Sequence, residues 1–204
     1  MKLYLKGNYE TSIYQNCMEY PWKMWFKERK GAKVGFSYAR DDDFYFSVSL
    51  DKFSSNDERW GVTDFKIGDN PWNSFKYEYL ILDFEDSYES DGREKGDYLR
   101  IITTHKDILT VDKRALYIMA IEVASAIDGQ ISEDDKETWL SVEEFKTKHK
   151  DLLNLSYDEA VEISLEEIKV MEAIDEPLWE ELDRKREEYI QIHGEVELDD
   201  EEDE

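Results

Sequence analysis

The residues able to do chemistry are few and scattered. Histidines stand at 105, 149 and 193, each beside lysine or glycine in a polar context. None has the HExxH spacing that puts two imidazoles on one helical face for zinc, so all three read as surface residues. Cys17 is the only cysteine. It has no marked basic neighbour to favour a thiolate, and it can form neither an intrachain disulfide nor a multi-cysteine zinc site. Asp41, Asp42 and Asp43 offer three carboxylates to a hard cation. Three consecutive side chains at a loop tip rarely converge on one ion, and a solvated turn is the plainer reading. Asp64 and Lys66, with Asp51 upstream, form an acid-x-lysine pattern on a predicted strand. Carboxylates there could hold a metal that activates water, with the lysine stabilising charge on a phosphate. A chain of formal charge −25 repels such a substrate. The sequence therefore predicts no catalytic residue, no metal site and no cofactor.

Binding is the better reading of the charge. Asp158, Glu159, Glu162 and Glu166 fall together when residues are placed about 100° apart on a helix. Tyr157, Val161, Ser164, Ile168 and Met171 fall on the other side. The acidic row is either a solvated helix face or, together with the C-terminal tail, a surface that meets a basic partner. There are 51 Asp and Glu against 26 Lys and Arg, and residues 156–204 alone hold 21 acids against four bases. Such a chain should avoid nucleic acid and anionic membranes and favour a basic protein. The lone cysteine fits a reducing compartment. The first residues, MKLYLKGNYE, lack the apolar run of a secretory signal. A soluble, cytoplasmic protein is expected, with its oligomeric state left open.

The elements that must carry these residues are set around one apolar stretch. Ala115 to Ile127 is interrupted only by Glu122 and Ser125, and a helix without a polar face belongs inside a fold. Gly129 stands where a left-handed residue commonly closes a helix. Upstream, Leu3 and Leu5 alternate with polar residues as a strand. Lys33 to Leu50 reads as a hairpin, with Val34, Phe36 and Tyr38 on one arm, Phe44, Phe46 and Val48 on the other, and a turn over Ala39 to Asp43. Arg59 to Ile67 and Ser74 to Phe84 read as strands, Glu85 to Asp97 as a polar loop, and Tyr98 to Thr104 as a last strand. Trp22, Met24, Trp25 and Phe26 crowd together, either closing one end of the core or anchoring a partner.

Downstream, Ile131 suggests a short extended piece before an acidic turn at Ser132 to Glu137. Ser141 with Glu144, and Ser156 with Glu159, are capping boxes that should each start a helix; the second helix is expected to reach about Ile174. Pro177 suits the first turn of a last helix. The fold class is α+β: an antiparallel sheet of about five strands in the N-terminal half, packed on a buried central helix, with a helical C-terminal half. One domain is expected over residues 1–194, mainly sheet over 1–110 and mainly helical over 111–194. A disordered acidic tail is expected over 195–204.

The stretch ALYIMAIEVASAIDGQISEDDKETWLSVEEF joins an apolar helix, an Asp-Gly turn, a short Ile-containing segment, an acidic turn, Trp139 and a Ser-x-x-Glu-Phe helix start. Over Asp112 to Phe145, about a sixth of the chain, it resembles immunity proteins of bacterial polymorphic toxin systems. The resemblance implies a cytoplasmic, non-enzymatic α+β protein that binds and blocks one cognate toxin, and it carries no catalytic residues to transfer. The alternative is a phage-type inhibitor, a DNA mimic whose carboxylates occupy a nucleic-acid-binding defence enzyme. For that, the row from Asp158 to Glu166 is short. A metal-dependent nuclease built on Asp51, Asp64 and Lys66 comes third.

Overall fold

In the computed structural model, residues 1–9, 38–40, 45–49, 59, 78–88, 93–171, 187–188 and 190–192 are described. Their elements are β1 (Lys2–Lys6), β2 (Tyr38–Arg40), β3 (Tyr45–Ser49), β4 (Tyr79–Tyr88), β5 (Arg93–Thr103), α1 (Thr110–Ala126), β6 (Gln130–Ser132), β7 (Leu140–Ser141), α2 (Val142–Lys148), α3 (Lys150–Leu153) and α4 (Tyr157–Glu167). The fold is α+β. Among the described residues the strands form one sheet in the order β2-β3-β4-β5-β1-β6-β7, and every pairing is antiparallel.

Alternation along the strands builds the core face. Phe46 pairs with Leu82, Leu82 with Ile101, and Ile101 with Leu3. One step along, Phe84 pairs with Leu99, Leu99 with Leu5, and Leu5 with Ile131. Side chains two apart share a face, so these rows make one apolar surface, and every member is buried. On that surface lies α1, with Ala115, Leu116, Met119, Ala120 and Val123 fully buried in the same cluster. The expected central core helix is thus present, running from Thr110 rather than Ala115.

The sheet is larger than the alternation foretold. Ala39 and Arg40, expected in a turn, lie in β2. The expected polar loop after Phe84 is strand at both ends, because β4 and β5 stay paired out to Tyr88 and Arg93, past a register shift between Phe84 and Asp86. Ladder hydrogen bonds link backbone to backbone and need no apolar face. The sheet also does not end before the central helix: β6 returns to pair with β1, and β7 pairs with β6. Arg59, read as the start of a strand, sits in a 3₁₀ turn. The aromatic group at Trp22 to Phe26, the aspartates at 41–43, the Asp51, Asp64 and Lys66 set, Cys17, His193 and the tail lie outside the described residues.

The close of α1 differs from expectation in one informative way. The left-handed residue is Asp128, at φ 49°, and Gly129 donates its N–H to Ala124 O at 2.8 Å, the six-to-one bond of a Schellman ending. Gly129 is needed for a different reason: a Cβ there would lie 2.7 Å from Ile127 Cγ1 and collide with the backbone oxygen of Lys6. Helix end and β1 pass too close for any side chain.

Both capping boxes form as expected, Ser141 with Glu144 and Ser156 with Glu159. Helix α4 stops at Glu167 rather than near Ile174; residues 168–170 turn instead, and Val170 N–H bonds Glu167 O three residues back at 3.0 Å. Residues 187–188 and 190–192, in the predicted last helix, are helical.

Candidate functional site

The acidic row depends on how α4 is seated. A helix start leaves several backbone N–H groups without partners, and the residue before α1, Leu109, has no side chain to cap them. Side chains from α4 do so instead. Glu167 accepts from Thr110 N–H at 2.7 Å and from the Thr110 hydroxyl at 2.5 Å. Ser164 Oγ accepts from Val111 N–H at 2.9 Å and donates to Ala160 O at 2.8 Å. A carboxylate at that end also meets the positive pole of the helix dipole. At the other end of α4, buried Arg114 of α1 donates from Nε to Leu155 O at 2.7 Å; burial lowers its pKa from the ordinary arginine value. With Ala160, Val161, Ser164 and Ile168 buried against α1, α4 is fixed in rotation as well as position.

That rotation turns all four predicted residues outward on one face, Asp158, Glu162 and Glu166 being 61%, 66% and 75% exposed. Each already has a partner within the chain. Glu159 accepts the backbone N–H and the hydroxyl of Ser156, which hold its carboxyl below the usual range. Arg59 reaches Asp158 Oδ1 at 2.9 Å and Glu162 Oε1 at 3.1 Å. Lys169 reaches Glu166 at 2.6 Å. Exposed ion pairs of this kind are worth about 0–1 kcal/mol, so they exchange readily for stronger partners. The chemistry available is reversible capture of cations, guanidinium above all.

Two of the three histidines are not surface residues. His105 is fully buried, with Nδ1 2.5 Å from Glu78 Oε2, and Glu78 Oε1 also accepts Thr104 N–H at 2.6 Å. A polar sequence context misled here, because the partner lies 27 residues away, just before β4. His149 is partly buried, its ring 4.4 Å from Tyr117 and 4.7 Å from Phe145 by centroid.

Around His149 lies a polar cluster that sequence reasoning missed. Glu133 receives Lys148 Nζ at 2.6 Å, His149 Nε2 at 2.9 Å and the Tyr117 hydroxyl at 3.1 Å. Its carboxylate ties α1 and α2 to the turn after β6. Burial raises the Glu133 pKa, but the bonds from Lys148, His149 and Tyr117 outweigh it and the net shift is downward. Burial, with Glu133 beside it, pushes the Tyr117 phenol up. In the same turn Asp134 accepts from Thr138, through hydroxyl and backbone N–H, and from Ser132. Those bonds pull its pKa down to about 2.

Both carboxyls are depressed on folding, so each contributes stability present above its unfolded pKa and lost as pH falls through its folded one. Thermal stability should therefore drop as pH falls below the ordinary carboxylate values of 4.5 for Glu133 and 3.8 for Asp134. In Glu133→Gln the drop should be shallower, from a lower starting Tm at neutral pH. Melting followed by circular dichroism across that range checks this; parallel curves for the two proteins would contradict it.

On the sheet face opposite α1, Tyr98 stacks on Trp139 at 5.4 Å, Lys6 Nζ sits 4.2 Å over the Trp139 ring and Lys136 Nζ 4.5 Å over Tyr4. Among the described residues there is no group of three or more potential metal ligands, and no helix is long and apolar enough to cross a membrane.

Fold and site together define an α+β domain that presents an acidic helix face. Comparison with protein-family models, curated proteins and solved structures gives no match for the chain.

Proposed function

We propose that the protein is an acidic, cytoplasmic binding protein that neutralises a cognate basic toxin by direct protein–protein contact. It is a binder and not an enzyme in this reading, and the outer face of α4 makes the contact. The carrying observation is the rigid outward presentation of Asp158, Glu159, Glu162 and Glu166 on a chain of charge −25. Complementary charge speeds encounter and selects partners. The resemblance of Asp112 to Phe145 to immunity proteins supplies the partner class.

The tagged protein, passed over lysate of its native host at about 50 mM and about 500 mM salt, should retain one basic protein at low salt and less of it at high salt, where exposed charges are screened. Recovery of no specific protein, or of an acidic one, would overturn the reading. Release of the captured protein by duplex DNA would replace it with DNA mimicry.

A further inference from the structure

The outer face of α4 is not uniformly charged. Ile163 is 41% exposed and Val170 83%, and their seven-residue separation is about two helical turns. The turn after Glu167 keeps a helix-like path through its bonds back to Glu166 and Glu167, so both side chains stand on the same flank. One turn from Ile163 on that flank are Glu159 and Glu166. On the other flank the Arg59 guanidinium bridges Asp158 and Glu162, one nitrogen to each carboxylate. The Arg59 side chain is 26% exposed, and the two carboxylates it reaches are 61% and 66% exposed.

We propose that this face is the docking surface for a basic protein segment that lays a large apolar side chain against Ile163 and Val170 and seats an arginine on Asp158 and Glu162, displacing Arg59. The proposal rests on the reading of a basic partner and adds what that partner must present. Charge complementarity selects the occupant: the apolar pair lies among carboxylates on a chain of charge −25, so any neighbour that covers it must bring cations. Interfaces of this type draw most of their energy from a few central apolar or arginine anchors inside a polar rim. Arg59, which already bridges these two carboxylates, then acts as an internal competitor.

The test uses the full chain and two synthetic helical peptides, one carrying arginines with leucines on one face, the other with serines replacing the leucines. Binding is followed by backbone-amide NMR at about 100 mM salt, where distant charge effects are screened. The leucine peptide should bind about tenfold tighter than the serine peptide, with shifts concentrated at Ile163, Glu166 and Val170. Ile163→Ser with Val170→Ser should erase that difference while keeping the wild-type amide dispersion, since Val170 is 83% and Ile163 41% exposed. Arg59→Ala should tighten the leucine peptide by about threefold, since it removes a competing cation.

Equal affinity of the two peptides with shifts spread over all acidic segments, or weaker binding by Arg59→Ala, would overturn the proposal. No host protein is involved, so failure here is distinct from failure to capture a basic partner from lysate.

Discussion

Gly129→Ala should lose about 3 kcal/mol of stability, a drop of about 10 °C in Tm for a chain of this size. Its Cβ would sit 2.7 Å from Ile127 Cγ1 and against the Lys6 carbonyl oxygen. Neither neighbour can yield cheaply. Ile127 is buried at the helix end, its carbonyl accepts Asn8 N–H at 2.8 Å, and Lys6 is paired with Gln130. Moving Lys6 away would open the β1–β6 ladder, which ties the segment after α1 into the sheet. Asp128→Gly is the informative control. Asp128 holds the positive φ, a conformation glycine adopts without strain, so that substitution should be neutral or slightly stabilising. Equal losses from the two changes in urea unfolding would contradict close approach as the reason for Gly129.

Glu167→Ala should cost about 1–2 kcal/mol, and Glu167→Ala with Ser164→Ala about 3 kcal/mol. The first removes the acceptor for Thr110 N–H and hydroxyl, and the second orphans the buried N–H of Val111. An unsatisfied buried donor loses its bond to water without gaining another. The two sites share one helix end, so their effects will not simply add. Hydrogen exchange gives the specific readout: the Thr110 and Val111 amides should lose protection before those in the middle of α1. A Glu167→Ala variant within about 0.5 kcal/mol of wild type, as for an ordinary surface change, would mean that α4 does not cap α1.

What was legible in the sequence was local. The capping boxes at Ser141 and Ser156 read directly, because acceptor and donor lie three residues apart. The apolar run from Ala115 marked the core helix, and placing residues around a helix set Asp158, Glu159, Glu162 and Glu166 on the side away from Val161 and Ser164. Contacts between distant segments were not legible. Thr110 meets a carboxylate 57 residues on, and Arg59 reaches Asp158 from 99 residues away. His105 finds Glu78 only once β4 and β5 are paired, and no local pattern separates it from a surface histidine. The end of α4 was misplaced for a related reason. Apolar spacing continues to Ile168 and Met171, but Glu167 is held at the start of α1 and the chain turns there. Val170, which periodicity alone leaves unremarkable, becomes a feature of the outer face only through its exposure.

The most direct test of the central claim, that the outer face of α4 receives a basic partner, is the association rate of the captured partner with wild type and with Glu162→Gln/Glu166→Gln. Neither of these residues takes part in a capping box, so the helix should remain intact. Charges at an interface act mainly on encounter and are screened by salt. The variant should associate severalfold more slowly at about 50 mM salt, and the difference should shrink at about 500 mM. Identical rates for the two proteins at both salt levels would contradict the claim and place the contact elsewhere on the molecule.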